Sequence, residues 1–153
     1  LLLGKSMAYV LYVTVAGVIL TLLLALIRVP MPAAYPLQHL ALILLLATAS
    51  VGIGLLISSL SKTDSQAIQL VMLLLLLSIF FTGFFLPITG FAWPAWIIAL
   101  LLPMTHALEG FRALLLEGKG VSSDIWWALV IVAGLAYGLV GLIMRRNYRR
   151  TAG

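Results

Sequence analysis

Cysteine is absent from this sequence of 153 residues, and charged residues are scarce. The lack of cysteine excludes disulfides, thiolate nucleophiles and cysteine-ligated metal sites. Only 8% of the residues are charged, against roughly 25% in an ordinary soluble domain, while 64% are apolar. A soluble fold of this length could not cover so much apolar surface with polar side chains. The composition therefore predicts an integral membrane protein, organised as one compact unit.

Four stretches are long and apolar enough to cross a bilayer as helices, which takes about 20 residues each. They run over residues 6–27, 37–60, 64–86 and 125–144. Between the third and fourth lies an apolar segment, 87–124, which Pro87, Pro94 and Pro103 interrupt. Apolar stretches too short to span are typical of re-entrant or interfacial elements. We predict an all-α membrane protein, a single transmembrane domain over residues 1–153, with short re-entrant or interfacial helices in 87–124.

The basic residues predict the orientation of the chain. Four of the nine follow the last span, namely Arg145, Arg146, Arg149 and Arg150. Such a cluster after an apolar span is typical of a cytoplasmic membrane end. The basic residues of the chain do not form a broad patch among aromatics, so we expect no nucleic-acid binding. With four spans, both ends of the chain are then expected in the cytoplasm. This orientation leaves six basic residues inside and three outside, as the positive-inside rule requires.

Small residues predict how the helices pack, because they allow close approach in lipid. The candidates at four-residue spacing are Gly17, Thr21 and Ala25 in the first span, Ser50, Gly54 and Ser58 in the second, and Gly134 and Gly138 in the fourth. For the second span, lining a translocation path is an alternative to helix packing.

The turn before the third span carries a helix-capping pattern. Thr63 is the expected N-cap, with Gln66 three residues later reaching back as in a capping box. The acidic Asp64 then lies in the first turn, where the helix dipole favours a negative charge. Lys62 and Asp64 form either a plain solvated turn or a minor contact with a cytosolic partner.

Three polar residues follow Pro103 at three-residue spacing: His106, Glu109 and Arg112. This spacing predicts one shared helix face. One interpretation is a polar patch at the outer mouth of a translocation path, since such residues near a membrane are usually paired or functional. The other is an interfacial helix whose Glu109–Arg112 pair faces water.

Enzyme signatures are missing from the sequence. His39 and His106 lack the spacing of a zinc site, and neither a nucleophile elbow nor a P-loop occurs. We therefore expect no metal, no cofactor and no catalytic residue in this chain. The spans also contain no central Asp, Glu, Lys or Arg, which argues against proton- or sodium-driven transport.

The ordered pattern of residues 57–118 resembles the C-terminal half of type-2 ABC transporter permeases. A polar cytosolic turn precedes a long helix that ends in Gly-Phe-x-x-Pro, and a short outer helix leads to Pro-x-Thr-x-x-x-x-x-x-Arg and a glycine. These positions are Gly83, Phe84, Pro87, Pro103, Thr105, Arg112 and Gly118. Together with the polar residues that follow Pro103, these positions give the expected outer lid or translocation mouth: Gly83, Phe84, Pro87, Pro103, His106, Glu109 and Arg112.

The resemblance implies six spans in a complete permease, with these as the last four and a portion preceding Leu1. It implies a second permease half, identical or different, and an ATPase subunit that uses ATP and Mg²⁺. The expected function is export of a hydrophobic, amphipathic or lipid-linked molecule across the bacterial inner membrane. The alternatives are an intramembrane enzyme acting on lipid through His106 and Glu109, and a non-transporting membrane scaffold.

Overall fold

The computed structural model describes residues 2–27, 35–82 and 92–151, and all regular structure in them is helical. The helices in chain order are α1 (Leu2–Leu26), α2 (Pro36–Leu60), α3 (Asp64–Phe81), α4 (Trp93–Leu101), α5 (Pro103–Leu115) and α6 (Ser123–Thr151). The predicted all-α class is therefore confirmed.

Four of these helices, α1, α2, α3 and α6, are long and apolar enough to cross a membrane. Between the third and fourth of them, α4 and α5 form a pair bent by 77° at a short break, the geometry of a re-entrant loop or a broken span. The predicted architecture is thus confirmed, with shifted bounds. Helix α6 continues to Thr151 instead of ending near residue 144, and α3 ends at Phe81. The rest of the predicted third span, 83–86, lies outside the described residues.

The buried core lies between α2, α5 and α6. Its members are Leu42, Leu114, Val121, Ile125 and Leu129, with Tyr35, Leu45, Phe111 and Trp126 packed around them. Gly52 of α2 packs against Ala136 and Tyr137 of α6. Other buried residues of these two helices are Ala47 and Ala49 on α2, and Val132, Ala133 and Val140 on α6. These small side chains let the two helices approach closely, which is the packing mode expected in lipid.

The spans α1 and α3 contribute far less to this core. No residue of α3 is buried, and most apolar side chains of α1 are exposed. Because the sequence of both helices is as apolar as that of α2, their exposed faces suit lipid or another protein rather than water.

Two turns have local structures that depend on particular residues, the N-cap before α3 and the glycine after α5. The Gln66 backbone N–H donates to the Thr63 hydroxyl at 3.2 Å, which confirms Thr63 as the N-cap of α3. The Gln66 side chain reaches back as predicted, although its oxygen accepts from the N–H of Lys62 rather than from the cap residue itself. After α5, Gly118 has a φ of 62°, a conformation that glycine adopts without the strain a side chain would add.

Candidate functional site

The bend between α4 and α5 is built around Pro103, which is buried and begins α5. Because the helix direction changes here, the last carbonyls of α4 lose their usual partners from the following turn. The Leu100 carbonyl is instead bonded by Nε2 of His106, at 2.8 Å. A carbonyl oxygen only accepts, so Nε2 of His106 carries the proton and donates. His106 therefore joins α5 to the end of α4 across the bend.

His106 does not share a face with Glu109 and Arg112, and the prediction of one polar face is wrong. His106 is only 8% exposed, whereas Glu109 and Arg112 are both exposed on α5. Three-residue spacing falls short of the 3.6-residue turn, so the direction drifts by about 60° at each step. Within the described residues, no ion pair links Glu109 to Arg112; the pair that forms is Lys119–Glu117, at 3.3 Å.

The other end of α5 is held against α2. A Cβ at Gly110 would lie 2.8 Å from a side-chain carbon of Leu42, so α5 can approach α2 this closely only with glycine. Beyond α5, the backbone N–H of Val121 donates to Oε1 of Gln38 at 2.9 Å. Neither contact could be predicted from the sequence, because each joins segments far apart in the chain.

A second buried polar group joins α1 to α2. The Thr21 hydroxyl donates to the Gly17 carbonyl at 2.9 Å, and its oxygen lies 3.1 Å from Nε2 of His39. A hydroxyl has one proton, so Nε2 of His39 must be the donor to Thr21. His39 also makes an edge contact with the Phe111 ring, with centroids 5.3 Å apart. The histidine is thus a packed structural residue, a role that no spacing in the sequence predicts.

Among the described residues, Gly17 is a predicted small residue that does pack one helix against another. A Cβ at Gly17 would lie 2.7 Å from Ile43, so Gly17 permits the α1–α2 approach. The glycine with the corresponding role between α2 and α6 is Gly52, where a Cβ would meet Tyr137 and Ala136 at 3.0–3.1 Å. Gly52 was not predicted, because the four-residue pattern selected its neighbours Ser50 and Gly54 on another face.

The remaining small residues pack no helices together within the described part of the chain. Gly54, Gly134 and Gly138 are exposed, and a Cβ at any of them would meet no atom within 4 Å. Ser50 and Gly54 instead line a cleft of about 520 Å³ between α2, α3 and α5, and Ser58 lines its continuation toward the α2–α3 turn. The packing role predicted for Ser50, Gly54 and Ser58 is therefore corrected, because these residues form one wall of an open cleft.

Lys62 and Asp64 are exposed in the α2–α3 turn. The structure shows a capped, accessible turn there, and a role in contacting a cytosolic partner stays a prediction. The predicted lid residues Gly83, Phe84 and Pro87 lie outside the described residues. The structure thus brings Pro103 and His106 together at the bend, and places Glu109 and Arg112 on the exposed side of the same helix.

Four apolar spans with a sharply bent helix pair before the last one define a multi-pass helical membrane protein. The sequence profile of the ABC-2 type transporter family matches residues 1–116, which include α1, α2, α3 and the bent pair. The chain belongs to this family, and is a membrane permease component of an ABC transporter. Comparisons with curated proteins and with solved structures give no match.

Proposed function

We propose that this chain is the membrane-spanning part of an ATP-driven exporter for an amphipathic or lipid-linked molecule. The match to the ABC-2 type transporter family over residues 1–116 carries the proposal. Permeases of this family normally work with an ABC ATPase. In our proposal the chain itself binds no cofactor, and ATP and Mg²⁺ are used by that ATPase partner.

The positions of the charged residues in the described spans support an energy source outside this chain. Their charged residues lie at the helix ends, such as Asp64 at the start of α3 and Arg145 near the end of α6. Ion-coupled transporters usually need ionisable groups at mid-membrane. Movement of cargo here would instead follow a conformational change of the helices, driven by the different states of the ATPase.

The exposed faces of α1 and α3 support assembly with a second permease half. Both helices are apolar, yet within this chain α3 buries none of its residues. A translocation path for a large amphipathic molecule needs walls on all sides, and a second permease half packed on these exposed faces would help to form them. We propose a dimer in the bacterial inner membrane, with both ends of this chain in the cytoplasm.

The geometry does not favour the alternative of an intramembrane enzyme. An acid–base pair must reach the same reacting atoms. His106 is buried and its Nε2 is bonded to the Leu100 carbonyl, whereas Glu109 is exposed on another side of α5. These positions suit a bracing role for His106 and a surface role for Glu109.

Reconstitution tests the proposed function. The intact protein and its ATPase partner would be placed in liposomes that contain a phospholipid with a fluorescent NBD headgroup. Dithionite, which does not cross the bilayer, then reports the fraction of probe on the outer surface. We expect ATP to change this fraction in vesicles with the complex.

Two controls isolate the role of this chain. ATPase alone, and complex with an ATPase whose P-loop lysine is replaced by alanine, should both leave the probe distribution unchanged. The proposal of an amphipathic cargo would be overturned by a complex that hydrolyses ATP normally and never moves the probe. Equal movement without this chain would overturn its role as the permease.

A further inference from the structure

Helices α2 and α6 lie side by side and run in the same direction. Leu42 of α2 shares the core cluster with Ile125 and Leu129 of α6. Further along both helices, Gly52 of α2 packs against Ala136 of α6. The order of these two contacts is the same in both helices, so their C-terminal ends lie on the same side of the protein.

The C-terminal end of α6 projects past α2. Leu60, the last residue of α2, and Met144 of α6 lie equally far beyond the Gly52–Ala136 contact, so the two are about level. After Leu60 comes the exposed, polar α2–α3 turn, whereas α6 continues as a helix to Thr151. About two turns of α6 therefore lie at or beyond the level of this polar turn.

The length of α6 determines how deep these two turns lie in a bilayer. Its apolar stretch from Ile125 to Met144 is about 30 Å long at about 1.5 Å per residue, which matches the hydrocarbon core of a membrane. Trp127 is exposed near the opposite end, as is typical of a side chain at the membrane interface. The headgroup layer adds about 5–8 Å on each side of the hydrocarbon. Positions 145–151 therefore begin at headgroup depth and extend about 10 Å from the hydrocarbon edge.

The sequence gives this end of the protein a strong positive charge. Four of the seven positions 145–151 are arginine: Arg145, Arg146, Arg149 and Arg150. At about 100° per residue, these positions fall on one side of a helix, within an arc of about 140°. Lys62 adds a positive charge in the α2–α3 turn, and Asp64 is the one acidic residue in the sequence of that turn and of 145–151.

A positive surface at this depth suits the headgroups of anionic lipids. Leu142, Met144 and Arg145 are exposed, so no other helix in the described part of the chain covers them. The helix dipole favours cations only within the last turn, so it does not account for Arg145 and Arg146. A soluble partner would have to enter the headgroup layer to contact these first two arginines, whereas lipid phosphates already lie there.

We propose that the C-terminal end of α6 is a binding site for anionic phospholipids, formed by Arg145, Arg146, Arg149 and Arg150. The recognised group is a phosphate headgroup with a net negative charge, because a zwitterionic headgroup carries a cation that offsets its phosphate. The site requires α6 to cross the membrane but does not require transport. It therefore stands or falls separately from the proposed function.

Native mass spectrometry tests the site. The intact protein would be released from micelles that contain equal amounts of phosphatidylglycerol and phosphatidylcholine with the same acyl chains, and the bound lipids would be identified by mass. A single arginine near the surface contributes a factor of about five in affinity for anionic lipid. We expect the wild type to retain phosphatidylglycerol at least about tenfold over phosphatidylcholine at low ionic strength. Because salt screens exposed charges, this preference should decrease as salt is added.

Two variants of the same positions separate charge from other effects. Arg149→Gln/Arg150→Gln removes two charges, while Arg145 and Arg146 remain to preserve the orientation in the membrane. We expect the preference for phosphatidylglycerol to fall about fivefold or more. Arg149→Lys/Arg150→Lys keeps both charges and should keep the preference, which also controls for any effect of the substitutions on folding.

A matched control removes two charges from the other end of the protein. Arg112→Gln/Lys119→Gln lies where Glu109 and Glu117 already offset the basic residues in sequence, so it should leave the lipid preference unchanged. The proposal is overturned by equal retention of the two lipids in the wild type, or by a preference that only the control variant reduces. It is also overturned if Arg149→Gln/Arg150→Gln keeps its lipids and instead loses a co-purifying ATPase, since the arginines would then contact protein.

Discussion

The helices α2 and α3 have nearly the same character in sequence but opposite roles in the structure. Both are apolar on every side and long enough to span a membrane. However, α2 packs against α1, α5 and α6 and buries six residues, whereas α3 buries none of its 18. Membrane insertion therefore depends on average apolarity, while helix packing in lipid depends on the size and shape of particular side chains.

The contrast predicts that truncation in the core is far more damaging than truncation on α3. Leu129 on α6 is fully buried, and Leu129→Ala should reduce the free energy of unfolding by about 2–5 kcal/mol, because it leaves a cavity. Leu76→Ala on α3 removes the same atoms from an exposed side chain and should stay within about 0.5 kcal/mol. Unfolding in mixed micelles by titration with SDS measures both, and equal losses would contradict the assigned core.

Two glycines on α2 allow its buried face to be compared with its exposed face. Gly52→Leu would drive a side chain into Tyr137 and Ala136, and overpacking of this kind costs about 1–3 kcal/mol. Gly54→Leu, half a turn away in the open cleft, should change stability by at most about 0.5 kcal/mol. Thermal unfolding in detergent compares them. If Gly54→Leu were the more harmful, the assigned faces of α2 would be wrong.

A substitution at His106 tests whether this side chain holds α4 and α5 together across the bend. His106→Ala leaves the buried Leu100 carbonyl without its donor, at a cost of about 1–3 kcal/mol. We expect faster amide hydrogen exchange in α4 and α5, and partial recovery in His106→Gln, which keeps a donor. Glu109→Ala, on the exposed side of the same helix, serves as the control and should not alter exchange in α4.

The smallest expected effect lies in the α2–α3 turn. Thr63→Ala removes the acceptor for the Gln66 N–H, and loss of an N-cap costs about 1 kcal/mol. Because α3 has few contacts with the rest of the chain, we expect faster hydrogen exchange in its first turn and no change in α2 or α6. A loss of stability spread over the core would show that α3 is coupled to it more strongly than its exposure indicates.

Much of the fold could be predicted from the sequence, because each deciding signal is local. Runs of about 20 apolar residues define the spans, the prolines around 87–103 define the broken segment, and Thr63 with Gln66 defines the start of α3. The basic cluster at the C-terminal end of α6 supports an orientation by the same local logic, and that orientation stays a prediction.

The packing faces could not be predicted with the same success. In a soluble helix the buried side is the apolar side, but a membrane helix is apolar all round, so periodicity does not select a face. The four-residue pattern of Ser50, Gly54 and Ser58 therefore pointed to the cleft, while Gly52 made the contact. The roles of His39 and His106 depend on Thr21 and on the Leu100 carbonyl, whose proximity only the fold creates.

The most direct test of the account is purification of the intact protein in mild detergent, followed by mass spectrometry of whatever remains bound. The account predicts a stoichiometric partner, or a further domain of the same protein, that carries a P-loop and hydrolyses ATP. An intact protein that repeatedly purifies alone, without ATPase activity, would contradict its role as the membrane component of an ATP-driven exporter.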